Sequence, residues 1–269
     1  MLHFVDPQQP SLEPYPIMKK LSYALTVIAI LACKLSAASI VNGGSLSTAN
    51  ADQLATWLGE GYLQLTAIYT AISGDTGSNF HTAVDGKGRT FTVITARASG
   101  SSGAFSLLGG YDPLSWDILG NGNYHLDVTD VGRTAFIFNL STNFLQRQNL
   151  TSQTTSGNDY GMDQTYNFAN YGPSFGGGHD LTTGAAGAAM LGNTPSGQYM
   201  YNSSYGATGV SGGTNLLALT GTTNLEVVGV EVYTISSVVV PEPRTTGLMA
   251  LVFVILAGRR FRAREGRAA

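Results

Sequence analysis

The sequence predicts a mainly β domain: a two-sheet antiparallel β-sandwich with a few short helices. Three observations carry this expectation. Short runs rich in β-branched and aromatic residues recur, namely Leu63 to Tyr69 (LQLTAIY), Thr90 to Ala96 (TFTVITA), Ala135 to Leu140 (AFIFNL) and Leu225 to Ile235. Gly, Asn, Asp and Ser punctuate them, and 34 of the 269 residues are glycine, which suits tight turns. Helical periodicity is confined to two short windows, so sheet-on-sheet packing is favoured over alternating α/β layers.

Residues 1–38 read as an N-terminal extension and signal peptide. Met18-Lys19-Lys20 and the apolar run after it have the form of a secretory signal, which places the true start at Met18, and Ser36-Ala37-Ala38 supplies small residues for cleavage. The mature chain is expected to begin near Ser39. A second reading takes Ile30-Leu31-Ala32-Cys33 as a lipoprotein box with Cys33 acylated.

Residues 39–237 form the folded domain. Ser47 to Asn50 offers N-caps for a short helix carrying Leu54, Trp57 and Leu58, closed by Gly59. Asp75 to Gly77 reads as a turn, and Asn79 to Asp85 as a helical turn with Phe80, Ala83 and Val84 on one face. Ser106 to Leu108 runs into Gly109-Gly110-Tyr111, followed by a loop around Pro113 and Trp116. Asn149 to Asp163 is a polar loop. Gln198 to Asn202 and Leu216 to Leu219 read as further strands. In the last strand Leu225 and Val227 share one parity and Val230 and Val232 the other, which predicts a β-bulge at Gly229. Between the strands on either side, Phe175, Gly176, Gly177, Gly178, His179 and Asp180 are expected to form a fold-specifying turn.

Charge narrows the partners. Between Ser39 and Val240 five basic residues (Lys87, Arg89, Arg97, Arg133, Arg147) face thirteen Asp and Glu, so nucleic acid is not expected as a partner. The single cysteine, Cys33, lies in the signal segment, leaving no disulfide in the mature body.

Residues 238–269 break with the body. Pro241-Glu242-Pro243 precedes an apolar run, Gly247 to Gly258, and then Arg259-Arg260-Phe261-Arg262. The run is shorter than the roughly 20 residues of a full membrane span. This layout resembles the PEP-CTERM sorting signal of Gram-negative envelope proteins. The resemblance implies processing by an exosortase-type enzyme, transient residence in the inner membrane, and a final place in the cell envelope, outer surface or extracellular matrix. An ordinary single-pass anchor is the competing reading.

Six further pieces, in order, resemble the TLDc domain: NFH at Asn79 to His81, KGRTFTVI at Lys87 to Ile94, LLGGYDPLSW at Leu107 to Trp116, AFIFNL at Ala135 to Leu140, SFGGGHDL at Ser174 to Leu181 and VEVYTI at Val230 to Ile235. The resemblance covers most of the mature chain, roughly Leu54 to Ile235. The resemblance implies the same two-sheet sandwich and a family without an established catalytic set. The Gly/Ala/Ser-rich stretch from Gly184 to Gly213 and the polar loop depart from it.

The residues themselves point weakly to chemistry. His81, His125 and His179 have no zinc-ligand spacing and no cysteine beside them, so no metal is expected. His179 beside Asp180 could act as an oriented base in a hydrolase, yet no nucleophile elbow accompanies the pair. Gly176 to Gly178 lacks the Lys and Ser/Thr of a phosphate loop. Asp127 to Asp130 and Asn158 to Asp163 could offer oxygen ligands to calcium, without the EF-hand pattern. Among the aromatics, Tyr111, Trp116, Tyr160 and Tyr166 are candidate ligand contacts, as a carbohydrate-binding sandwich would use them. The sequence therefore predicts a binding or protective module without catalysis or cofactor, a carbohydrate-binding or matrix protein second, and a hydrolase third. The expected partner is an unknown envelope protein or glycan.

Overall fold

The computed structural model describes residues 38–118, 123–153, 159–194, 197–200, 203–206 and 215–238. The expected signal segment with Cys33, the motif Pro241, Glu242 and Pro243, the apolar run, and Arg259 and Arg260 lie outside the described residues.

Twelve strands form in chain order: β1 Ala38–Val41, β2 Leu63–Thr70, β3 Thr90–Ala98, β4 Ser106–Asp112, β5 Asn123–Leu126, β6 Phe136–Asn139, β7 Phe144–Arg147, β8 Asp163–Asn167, β9 Ser174–Phe175, β10 Leu181–Thr182, β11 Tyr199–Met200 and β12 Thr223–Ser237. They hydrogen-bond in one continuous path, β5-β8-β9-β10-β11-β12-β3-β4-β6-β7. Strand β2 also joins β12, and β1 joins β2 as a parallel pair. Ser39, the expected mature start, lies within β1. All other pairings are antiparallel. The mainly β expectation is met.

Strand β12 is the hub because it is long enough to serve several partners. One edge pairs with β3 from Leu225 to Thr234, while the other meets β11 at Thr223 and Asn224 and β2 from Glu231 onward. The register against β3 shifts between Val227 and Gly229, so the expected bulge is present. Its effect is physical: Val228 is turned out, half exposed, while Leu225, Val227, Val230 and Val232 all enter one core despite their opposite parities.

Both faces of the central strands are buried, and β3 is accordingly buried from Thr90 through Ile94. On one face Phe91, Val93, Tyr111, Phe136, Phe138 and Tyr233 pack with Leu54 of helix α1, Thr48–Leu58. On the other, Ile94, Leu108, Ile137 and Val230 pack with Phe80 of helix α2, Gly77–Val84, and with Phe175, Leu181 and Met200. Helix α1 is capped as expected: the Ser47 hydroxyl accepts from Asn50 N–H at 3.2 Å, and Gly59 closes the helix at φ 76°.

The pair Gly109-Gly110 leaves room on each face in turn. A Cβ at Gly109 would meet the Thr92 carbonyl and the Phe138 ring, and one at Gly110 would meet the Phe175 ring. These glycines serve a strand and not a turn, because β4 continues through Tyr111 and Asp112.

That continuation corrects two expected ligand contacts. Tyr111 is 4% exposed and packs against Phe91 and Phe136, with ring centroids 5.4 and 5.1 Å away. Trp116 is fully buried, with its indole N–H donating to Thr90 Oγ1 at 2.9 Å. Both are core residues. Leu216 to Leu219 is likewise a turn and not a strand, since the Asn215 side-chain oxygen accepts from Leu217 N–H and Leu219 N–H in place of a ladder partner.

Candidate ligand-binding site

The hairpin β9–β10 carries the glycine turn at its tip. Two glycines are required for different reasons. Gly176 takes φ 84°, a left-handed conformation that glycine adopts freely. At Gly177 the reason is crowding, because an added Cβ would run into the Asp163 carboxylate and press on the Tyr160 ring.

The turn is fixed by a buried polar network. Asp180 is fully buried and accepts four hydrogen bonds: from Ser203 N–H (2.8 Å), Ser203 O–H (2.8 Å), Ser204 N–H (2.7 Å) and Tyr205 N–H (2.7 Å). Ser204 Oγ in turn accepts from Gly177 N–H (2.6 Å) and Ser203 Oγ from Gly178 N–H (2.9 Å). Burial pushes the Asp180 carboxyl up to about 6, against the four hydrogen bonds that favour its charged form. The amides that could have cradled a phosphate are therefore bonded to serine hydroxyls, and Asp180 is occupied in holding residues 203–205.

His179 points elsewhere. Its Nδ1 lies 2.6 Å from the Tyr199 hydroxyl. Burial lowers its pKa and raises that of Tyr199, so a neutral imidazole and a phenol share a hydrogen bond whose direction follows the imidazole tautomer. The hydrolase reading needs His179 and Asp180 to act together, and their partners are separate. His179 also adopts φ 54°, an uncommon conformation for a residue with a β-carbon.

Around His179 an aromatic patch gathers from four parts of the chain. Tyr166 sits at its centre, with ring centroids 4.9 Å from Tyr124, 4.8 Å from Tyr171 and 5.0 Å from His179. Tyr171 lies 5.3 Å from His179 and 6.2 Å from Phe168, and Tyr199 lies 5.9 Å from His179. Phe168 is 36% exposed and the other five are half-buried. Local structure dictates this convergence. Tyr124 and Tyr166 are directly opposed in β5 and β8, where cross-strand aromatic pairs meet. The Tyr124 hydroxyl donates to the Gly177 carbonyl at 2.8 Å, tying strand to turn.

A bulge adds a carboxylate to this face. His125 pairs with Thr165 but Leu126 pairs with Asp163, leaving Gln164 as the extra residue. Asp163 therefore stands on the same face as Tyr124 and Tyr166, where strict alternation would have put it on the other. Its carboxylate has no hydrogen-bond or ion-pair partner among the described residues, although it is only 6% exposed. Burial first, then Asp159 and Asp180, push its pKa up to about 6, with Arg133 opposing. Arg133 itself is buried and committed to Asp159, to the Asn149 carbonyl and to the Asp127 carbonyl.

Of the expected contacts, Tyr166 is at the centre of the patch, and Tyr160 is 46% exposed beside Gly177. The acidic loops hold protein partners: Asp127 accepts from Thr129, Asp130 from Thr151 and Asp159 from Arg133. Sequence reasoning did not single out Tyr124, Phe168, Tyr171, Tyr199 or Asp163 as contacts. The signal lay in the Tyr spacing of β5 and β8, hidden because the polar strands DQTYN and NYHL read as loop. No protein-family profile and no curated protein matches the chain.

Proposed function

We propose that this chain is a secreted, envelope-sorted TLDc-like domain that acts by binding through the patch centred on Tyr166, Tyr171 and His179, and not by catalysis. The observation carrying the reading is the patch itself: six contiguous, partly exposed rings anchored by a buried network at the glycine turn. A strained His179 backbone held among tyrosines is consistent with a site kept for function.

Support for the TLDc-like sandwich comes from convergence. Trp116 of LLGGYDPLSW packs edge-on against Phe80 of NFH at 5.1 Å and Phe175 of SFGGGHDL at 5.5 Å. Pieces scattered over the sequence thus meet in one core, as a shared fold would require.

The ligand class that the patch favours is carbohydrate. Half-exposed tyrosines present flat apolar faces with polar edges, suited to stacking on sugar rings, and the Tyr166 and Tyr171 hydroxyls have no partner among the described residues. On a glycan array, the full chain is expected to bind saturably, and Tyr166→Ala to weaken binding at least about tenfold, roughly 1.4 kcal/mol, with its melting midpoint preserved. Binding unchanged in Tyr166→Ala would remove the patch from the function. For the sorting half, mass spectrometry of the native protein is expected to find an N-terminus near Ser39 and no Arg259-Arg260 tail. An intact tail would contradict exosortase processing.

A further inference from the structure

We infer that the ligand carries free amino sugars, with a sugar ring stacked on the Tyr166 platform and its ammonium group directed to Asp163. This rests on the carbohydrate reading and adds the charge of the ligand.

The argument begins with the bulge at Gln164, which brings Asp163 onto the aromatic face. Asp163 then lies among Gly177, Tyr160 and Tyr124, close to the rings that would hold a sugar. Asp163 as a residue is 6% exposed, and a largely buried carboxylate without a hydrogen-bond partner among the described residues is destabilising on its own. The nearest cation, Arg133, is already bound to Asp159 and two carbonyl groups and cannot turn to it. An ammonium beside aromatic rings and a carboxylate gains both ion pairing and cation–π attraction. Neutral sugars can offer Asp163 hydroxyl hydrogen bonds but no compensating charge. Anionic sugars would be repelled by it and by Asp159 and Asp180 beside it, in a body with thirteen acidic and five basic residues.

The chemistry also separates the sugar from a basic peptide. A lysine side chain could reach a carboxylate but offers no flat ring to cover the tyrosines, whereas an amino sugar supplies both in one unit.

The test is calorimetry on the full chain with four probes of equal length: oligomers of glucosamine, of N-acetylglucosamine, of galacturonate and of lysine. Near neutral pH the glucosamine oligomer is expected to bind at least about tenfold more tightly than its N-acetylated counterpart, and galacturonate not to bind. Asp163→Asn should abolish that margin, so that the two glucosamine forms bind the variant equally. Tyr166→Ala should weaken both. Equal affinity for the two glucosamine forms, still lost in Tyr166→Ala, would overturn the ammonium assignment while keeping the sugar platform. Oligolysine binding as tightly as glucosamine, indifferent to Tyr166→Ala, would overturn the sugar assignment in favour of charge alone. Absence of binding by all the sugars would overturn the carbohydrate reading with it. The comparison of free and acetylated amines uses the unaltered protein, so the inference stays testable even if a variant fails to fold.

Discussion

Asp180→Ala is expected to lower stability by about 3–5 kcal/mol, because it strands three buried backbone N–H groups and the Ser203 hydroxyl, each at about 1 kcal/mol or more. For a domain of this size that corresponds to a drop in melting midpoint of about 10 °C or more. Asp180→Asn should also be strongly destabilising, since its amide would place a donor where donors already converge. The damage should spread to the hairpin, because Gly177 and Gly178 donate to the serines that Asp180 positions. Thermal unfolding followed by circular dichroism reads the outcome. A midpoint within about 2 °C of the parent would show that the network is not what holds the turn.

The second large effect is a fall in stability with rising pH. Asp112 is fully buried at the end of β4; Oδ1 accepts from Leu114 N–H at 3.0 Å, and Oδ2 has no partner among the described residues. Burial pushes its pKa up to about 8. A carboxyl raised above its unfolded value favours folding most below that unfolded value, near 3.9, and that contribution is lost as pH rises toward the folded pKa. Between about pH 6.5 and pH 8 the expected loss is about 2 kcal/mol, at roughly 1.4 kcal/mol per unit. Asp163 and Asp180 titrate lower, near 6, and so contribute little in that window. In Asp112→Asn the fall should disappear whatever constant penalty the new amide carries, leaving the small rise that His125 and His179 contribute through their lowered pKa values. Urea denaturation across the pH range measures both. A parent protein equally stable at the two ends of the window would contradict the assignment of a neutral buried acid.

How much of this was readable from the sequence depended on the chemistry of each segment. Strands β2, β3, β6 and β12 were legible because both their residue types and their periodicity favour sheet. The bulge in β12 was legible because the parity change at Gly229 has one economical explanation. Strand β8 was not legible, because its Asp, Gln and Asn side chains mimic a loop while their burial is fixed by tertiary partners: Gln164 donates to the Gly132 carbonyl and Asn167 to Thr165 Oγ1. Tyr111 and Trp116 were misjudged for the same reason in reverse. Glycine and proline around them suggested a turn, but Gly109 and Gly110 were selected by the rings of Phe138 and Phe175 on opposite faces of β4.

The site was legible only in part. The turn from Phe175 to Asp180 could be identified as a structural device from the missing lysine and nucleophile, and the Asp180 network supplies its mechanism. The patch above it depends on long-range pairings, Tyr124 with Tyr166 and His179 with Tyr199, that no local pattern encodes. Asp163 required one further piece of information, the register shift in β5–β8, without which it would be placed on the opposite face.

The central claim is that binding takes place on the aromatic face. Amide chemical-shift mapping of the full chain during titration with a bound glycan tests it most directly. Perturbations concentrated at Tyr124, Asp163 to Phe168, Tyr171 and Gly176 to His179 are expected. Perturbations confined to the opposite side of the fold, around α1 and β1, with these residues unmoved, would contradict it.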